Sequence, residues 1–317
     1  MPELAEALRC PSCGNGELEQ DGDSYVCSSC ERTFPVVGGI PRLLDSLSTD
    51  VEQVQRVFDF EHRRFEDSWY TRFEPRLVEQ FLEECGLTVE FFAGKHALDA
   101  GCGSGRWTYA LAELGADVVG CDLTAGGLES ARANLPQERV RLYQADLFRL
   151  PFASESFDFV MSWGVLHHTP DTHAAFRRLV PLVRRGGTLF VMVYERTAPV
   201  QLFFTNLLRR LMRRLPDEKR YAACRHLVIE RPLVYRVVAP FLMVSLYDPE
   251  KPELDPKTMQ FGLFDAYSPR YNHVHTVDEV KRWFEEAGFT DVTSIATSSQ
   301  AVRVRGTRLA GSHTSAT

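Results

Sequence analysis

Between residues 95 and 196, short apolar segments alternate with amphipathic ones, and no other feature restricts the fold as strongly. "HALDAG", "DVVGCD", "RVRLYQAD", "SFDFVMSWGV" and "TLFVMVYE" have the length and the β-branched or aromatic content of buried strands. Between them, "GRWTYALAELG" (closed by Gly115), "GGLESARANL" and "THAAFRRLVPLVRRGG" carry apolar residues at helical spacing. A helix between two strands returns the chain to the same end. The pattern therefore predicts a parallel sheet covered by helices on both faces. With 317 residues, 44% of them apolar, the chain can bury such a core and still carry a smaller domain.

The first strand runs into a glycine-rich turn, "HALDAGCGSG". A dinucleotide fingerprint would place a third glycine where Arg106 stands, and it would not place Asp99 two residues before the first glycine. A carboxylate there opposes a pyrophosphate and suits an ammonium. S-adenosylmethionine has an ammonium, a sulfonium, a ribose and an adenine, and no phosphate. Gly101 and Gly103 let the backbone approach its methionine portion. Asp122 ends the second strand, where it can accept both ribose hydroxyls, with Leu123 beside it. Asp146 ends the third, where it can accept the adenine amino group while Leu147 offers an amide to the ring. Each acid alone reads equally well as a helix N-cap. Three at successive strand ends define one crevice.

Near the start, Cys10 and Cys13 are followed, after thirteen residues, by Cys27 and Cys30. Paired C-x-x-C turns can aim four thiolates at one Zn²⁺, a closed and therefore structural site. The alternative is four unrelated buried cysteines. A small ribbon has little core, so metal binding would supply its folding energy.

At this point a resemblance is apparent. "LDAGCGSGRW", "VVGCDLT", "YQADLFRLPFASESFDFVMSWGVLHHTPD" and "LVPLVRRGGTLFVMVY" resemble successive motifs of class I S-adenosylmethionine-dependent methyltransferases. "HTVDEVKRWFEEAGFTDV" resembles that family's closing helix and strands. The ribbon is similar to the small zinc-ribbon activator of tRNA and protein methyltransferases, here fused in cis, and to ribbons fused to bacterial small-molecule methyltransferases. The resemblance implies a Rossmann-like, mostly parallel seven-stranded sheet whose last strand is antiparallel. The expected organisation is a zinc ribbon (1–45), helices covering the site (46–94), the cofactor-binding core (95–196), a helical insert or lid (197–270), a closing helix and strands (271–309) and a disordered tail (310–317).

The fourth strand ends in Ser162-Trp163-Gly164-Val165, not in the Asn/Asp-Pro-Pro-aromatic motif of enzymes that methylate base or glutamine amino groups. Trp163 is assigned to the cofactor site. His167 and His168 follow, and in similar sugar and natural-product O-methyltransferases a histidine there is a general base; equally, the pair can merely shape the loop. "SPRYNHVHT" offers Arg270, Tyr271, His273 and His275 on one loop, for substrate binding or for its own hydrogen bonds. Tyr271 and His273 join the two histidines as catalytic candidates. In "FDFEHRRFEDSWYTRFE", Phe65, Trp69 and Tyr70 could close the site and Arg63, Arg64 and Arg72 could meet an anion; ordinary helix packing explains the aromatics as well.

Within the insert, residues 200–215 form a basic amphipathic helix, with apolar residues at 200, 203, 204, 207, 208, 211 and 215 and arginines at 209, 210, 213 and 214. A lid over the substrate pocket, a membrane-surface contact and an anionic-polymer site are its three readings. The net charge of −7 argues against a general nucleic-acid binder. No signal peptide is read at the N-terminus. "LVYRVVAPFLMVSLY", the best apolar run, is broken by Arg236 and Pro240, so no membrane-spanning segment is expected and the cytoplasm is the default. The sequence thus reads as a methyltransferase acting on oxygen or carbon of a small molecule: a natural product, sugar or lipid-like intermediate. Its rivals are an RNA methyltransferase that holds substrate with the ribbon, and a non-catalytic cofactor-binding protein that recruits partners. Oligomeric state is not legible.

Overall fold

The computed structural model describes residues 8–65, 73, 76–231, 233–234, 238, 256–296 and 301–310. Trp69, Tyr70, Arg72, the proline-rich stretch up to residue 255 and the tail from residue 311 lie outside them. Four short strands open the described chain: β1 (Leu18–Asp21), β2 (Ser24–Cys27), β3 (Thr33–Val37) and β4 (Ile40–Leu43). Helices α1 (Thr49–Arg64), α2 (Arg76–Cys85) and the short α3 (Val89–Phe92) lead into the alternating core. There β5 (His96–Ala100), α4 (Arg106–Glu113), β6 (Asp117–Asp122), α5 (Ala125–Asn134), β7 (Val140–Ala145), β8 (Phe157–Trp163), α6 (Thr172–Leu179) and β9 (Val183–Tyr194) follow one another. The insert holds α7 (Pro199–Met212), α8 (Asp217–Arg225) and α9 (Pro256–Tyr267). Helix α10 (Val277–Glu286), β10 (Phe289–Ser294) and β11 (Ala301–Arg308) close the chain.

The strands join in the order β1-β2-β3-β4-β7-β6-β5-β8-β9-β11-β10. From β7 to β9 every pairing is parallel, and β11 runs antiparallel to both β9 and β10. The parallel α/β core with its antiparallel closing strand is therefore present. The sheet has eleven strands, not the expected seven, because the N-terminal hairpins are not a detached unit. Strand β4 pairs parallel with β7, placing Arg42 against Gln144 and Leu43 against Ala145. This pairing covers an edge that would otherwise expose unpaired amides and carbonyls.

Alternation along the strands feeds two cores. Leu98, Val119, Val160 and Val191 point to the face covered by α6 and α10, where Phe176, Trp283 and Phe284 pack. Ala97, Val118, Phe159 and Phe190 point to the opposite face, against Phe81, Trp107, Leu111 and Leu128 of α2, α4 and α5. Leu8, Cys10, Cys27, Phe34 and Leu43 belong to the first of these clusters, so the ribbon and the sheet share apolar packing. The expected helix at residues 172–187 stops at Leu179, because Pro181 lacks an amide donor and sits in a single 3-10 turn. Strand β9 starts directly after it. The closing helix begins at a capping box: the Thr276 hydroxyl accepts from the Glu279 amide at 3.2 Å, and the Glu279 carboxylate accepts from the Thr276 amide at 3.5 Å.

A third cluster joins the insert to α1. Val57 and Phe65 pack with Cys224, Val228, Phe261, Phe264 and Tyr267. From the 200–215 helix, Leu208 of the apolar stripe and Met212 pack against this cluster. Thr205 and Arg209 form the buried face of α7, while Val200, Phe203, Leu207 and Leu211 face outward.

Candidate active site

The sheet order reverses between β5 and β8, and the loops at the carboxyl ends of the central strands open a crevice there. Gly101 turns the chain out of β5 at φ +89°, where a side chain would be strained, and a Cβ would fall 2.5 Å from Val165. The amides of Gly101 and Cys102 both bond the Cys121 carbonyl, at 2.7 and 3.0 Å, tying the turn to the end of β6. Gly103, at φ +52°, lies under α1, so that a Cβ would meet the His62 ring at 2.8 Å.

Asp99 is buried and accepts from the Thr108 hydroxyl at 2.7 Å. Burial pushes its carboxyl up to about 7, Asp122 adds to the rise, and the Thr108 hydrogen bonds oppose it. Asp122 accepts from the amides of Gly103 (2.8 Å) and Thr124 (2.7 Å) and from the Thr124 hydroxyl (2.6 Å). Asp146 caps the turn that follows it, accepting from the Phe148 amide at 3.0 Å. The capping reading thus holds for Asp146, and Asp122 likewise braces its own loop. All three acids nevertheless line one crevice, together with Gly101, Gly103, Leu123, Leu147 and Trp163. Trp163 is held there by its indole N–H, which donates to Glu84 at 2.7 Å.

The opposite wall comes from α1 and α9: Val51, Val54, Phe58, Glu61 and His62 from the first, Phe261 and Asp265 from the second. His168 also lines the crevice, and its ring packs 5.1 Å from that of Phe58. Its Nδ1 lies 2.9 Å from the Tyr271 carbonyl, which can only accept. Nδ1 therefore carries the hydrogen, and in the neutral ring Nε2 bears the lone pair. Nε2 stands 3.6 Å from the Asp265 carboxylate, whose other oxygen accepts from the Tyr194 hydroxyl. Burial lowers the His168 pKa from its usual value, partly offset by Asp265, so the imidazole is neutral near pH 7.

The other catalytic candidates lie elsewhere. His167 is fully buried, its ring tilted against that of Tyr194 with centroids 3.8 Å apart, and outside the crevice lining; burial drives its pKa far down. The side chains of Tyr271 and His273 line a separate shallow depression beside α7. The Tyr271 hydroxyl donates to Asp50 at 2.9 Å, and the His273 amide to the His167 carbonyl at 2.9 Å. Phe65 packs in the insert cluster, Arg63 bridges Asp59 and Glu129, and Arg64 lies over the Tyr221 ring, so none of these reaches the crevice.

Two acids that sequence reasoning passed over line the crevice with His168: Asp265, whose carboxylate faces it, and Glu61. Glu61 is buried, and loss of hydration, with the Asp265 charge as a second cause, holds its carboxyl well above the usual range. A signal existed for both. Val54, Val57, Phe58, Glu61 and Phe65 share one helical face, where an acid interrupts an apolar stripe. Asp265 likewise interrupts the apolar run "FGLFDAY".

The four ribbon sulfurs lie within 4.8 Å of one another. Cys10 and Cys30 are 3.8 Å apart, and Cys13 and Cys27 are 3.7 Å apart. Zn–S bonds of about 2.3 Å in a tetrahedron give an S···S edge of about 3.8 Å. The amides of Ser29 and Cys30 both point at the Cys27 sulfur at 3.4 Å, and the amides of Asn15 and Gly16 hold the Cys13 thiol down to about 6.

Residues 98–191 match the family model described as a methyltransferase domain. Over 112 residues the chain is 32% identical to the ubiquinone biosynthesis O-methyltransferase of Coxiella burnetii, a match covering 35% of this chain and 48% of that protein. Over 124 residues it is 36% identical to the demethylmenaquinone methyltransferase of Corynebacterium kroppenstedtii, covering 39% and 52%. The chain spans about half the length of these curated relatives. Among solved structures it is similar to the magnesium protoporphyrin IX methyltransferase of Synechocystis with bound SAH, at 17% identity and a TM-score of 0.43, covering 84% of this chain and 90% of that one. Human N-acetylserotonin methyltransferase in complex with SAM gives 13% identity and a TM-score of 0.47, covering 84% and 60%.

Proposed function

We propose that the crevice binds S-adenosylmethionine and that the chain methylates an oxygen or carbon of a small, lipid-like aromatic molecule, with His168 as general base. The donor set fits this cofactor. Asp99 is a buried acid held at about 7 for want of a compensating charge, and an ammonium group beside it would restore the carboxylate. The positive-φ glycines let a ligand lie against bare backbone, and the carboxylates of Asp122 and Asp146 suit a ribose diol and an adenine amine, not a pyrophosphate. When bound, the cofactor supplies an electrophilic methyl group on a sulfonium.

The juxtaposition of His168 with Asp265 carries the reading. Nε2 of the neutral imidazole takes the proton released as the acceptor is methylated, and the Asp265 carboxylate stabilises the imidazolium that forms. Phe58, Val165 and Phe261 give the acceptor side apolar walls that exclude water. The names of the relatives support an acceptor of quinone or quinol type, methylated on oxygen or on carbon. We further read Cys10, Cys13, Cys27 and Cys30 as ligands of one structural Zn²⁺, a shell with no open position.

Steady-state methylation of a catechol and a naphthoquinol tests the assignment. His168→Gln is expected to lower kcat by about 10²–10⁴-fold while S-adenosylmethionine affinity stays within about twofold, since the cofactor acids are untouched. Because the neutral form is active and its pKa lies below the usual histidine value, kcat at saturating S-adenosylmethionine should hold its plateau at pH 7 and above and fall only in more acid solution. An unchanged kcat in the variant would remove His168 from the reaction.

A further inference from the structure

Helix α7 presents its apolar stripe to solvent. Val200 is 60% exposed, Phe203 64%, Leu207 47% and Leu211 51%, at the spacing of one helical face. The opposite face is fixed inward. The Arg209 guanidinium is buried and donates to the carbonyls of Ala266 and, at 2.7 Å, Pro269 at the end of α9, while Thr205 meets the Tyr267 hydroxyl at 3.4 Å. Rotating α7 to hide the stripe would strip a buried cation of its acceptors, which costs far more than the exposure. The stripe is thus held outward by the fold.

Charge says what covers it. Pro199 to Leu215 carries four arginines and no acid, in a chain of net charge −7. Three of the four, Arg210, Arg213 and Arg214, are exposed and border a shallow depression beside α7, shared with Arg270, Asn272 and His273. Arg270 is compensated by Asp50 at 3.0 Å; among the described residues no acid lines the depression. An apolar ridge with cations along its edge is the pattern that seats in the boundary between acyl chains and anionic headgroups. We infer that α7 docks the chain on an anionic phospholipid surface, Phe203, Leu207 and Leu211 entering the acyl boundary and Arg210, Arg213 and Arg214 holding headgroup phosphates. Asp265 precedes by one residue the Ala266 carbonyl that anchors Arg209, so docking would bring the acceptor side of the crevice close to the bilayer. The inference rests on the exposed surface, not on the proposed reaction.

Co-sedimentation with phosphatidylglycerol vesicles and with phosphatidylcholine vesicles tests it, with S-adenosylmethionine binding followed separately. The full chain should bind the first and not the second. Phe203→Ser with Leu207→Ser, and separately Arg210→Glu with Arg214→Glu, should each weaken vesicle binding at least about tenfold while the melting temperature and cofactor affinity hold. No binding to anionic vesicles, or equal binding to both lipids, would overturn the inference. So would vesicle binding that survives the serine variant while inorganic phosphate alone competes for the arginines, which would mark a soluble-anion site. Dimers dissociated by the serine variant, without lipid binding, would assign the stripe to a second copy of the chain.

Discussion

At the residue scale, the crevice turns on a few side chains whose surroundings decide their charge. Asp99 is the clearest case. Its pKa of about 7 in the ligand-free protein means that a cationic ligand must displace a proton from it in acid solution. Affinity for S-adenosylmethionine is therefore expected to be fullest above pH 7 and to weaken as pH falls through 7, approaching about tenfold per unit. Calorimetry between pH 5.5 and 7 reads this directly, and Asp99→Asn should bind weakly with little pH dependence. A flat profile in the wild type would show that no ammonium meets this carboxyl. The three strand-end acids were legible in the sequence because position alone, at the end of an apolar segment, brings them to one line. Glu61 and Asp265 were not read, although each interrupts an apolar helical face. Their approach to each other in the crevice depends on how α1 and α9 cross, which periodicity does not encode. The His167–His168 pair could not be resolved from sequence either: neighbours in a tight turn point in different directions, one toward the crevice and one under Tyr194.

At the element scale, the surprise is the ribbon. Paired cysteines predicted a separate metal-held module; the four short strands and the β4–β7 pairing were not legible. Strands of four or five residues with half-exposed faces give almost no periodic signal, and edge pairing depends on backbone that any sequence supplies. The consequence is mechanical. Asp45, just past β4, bonds Arg149 at 2.7 Å, and the Arg9 amide bonds the Pro151 carbonyl at 2.9 Å, so the ribbon grips the loop that carries Asp146. Zinc should therefore stabilise the Asp146 end of the crevice as well as the ribbon. Freshly purified protein is expected to hold about one equivalent of zinc. Cys27→Ser with Cys30→Ser should lose it and lower the melting temperature of the whole chain, by about 2–4 °C for each kcal/mol forfeited. Metal content below about half an equivalent, or full retention in the double variant, would contradict the assignment.

At the scale of the whole molecule, the alternating core was legible because a parallel sheet buries both faces and writes continuous apolar runs into the chain. The insert was legible only as amphipathic helix. The face turned inward carries Arg209, a buried arginine that the pattern places among the surface charges, together with Thr205 and Leu208. The result is a crevice between one wall built by the ends of β5, β6 and β7, proposed above to hold the cofactor, and another built by α1, α9 and the loop after β8, proposed to face the acceptor. The central claim is that the first wall takes a phosphate-free nucleoside cation. Isothermal titration with S-adenosylmethionine and with NAD tests it most directly. One molecule of S-adenosylmethionine per chain is expected to bind, NAD is expected not to, and Asp122→Ala should lose about 1.5–3 kcal/mol, roughly ten- to over a hundredfold in affinity. Binding of NAD, or unchanged S-adenosylmethionine affinity in the variant, would contradict the account.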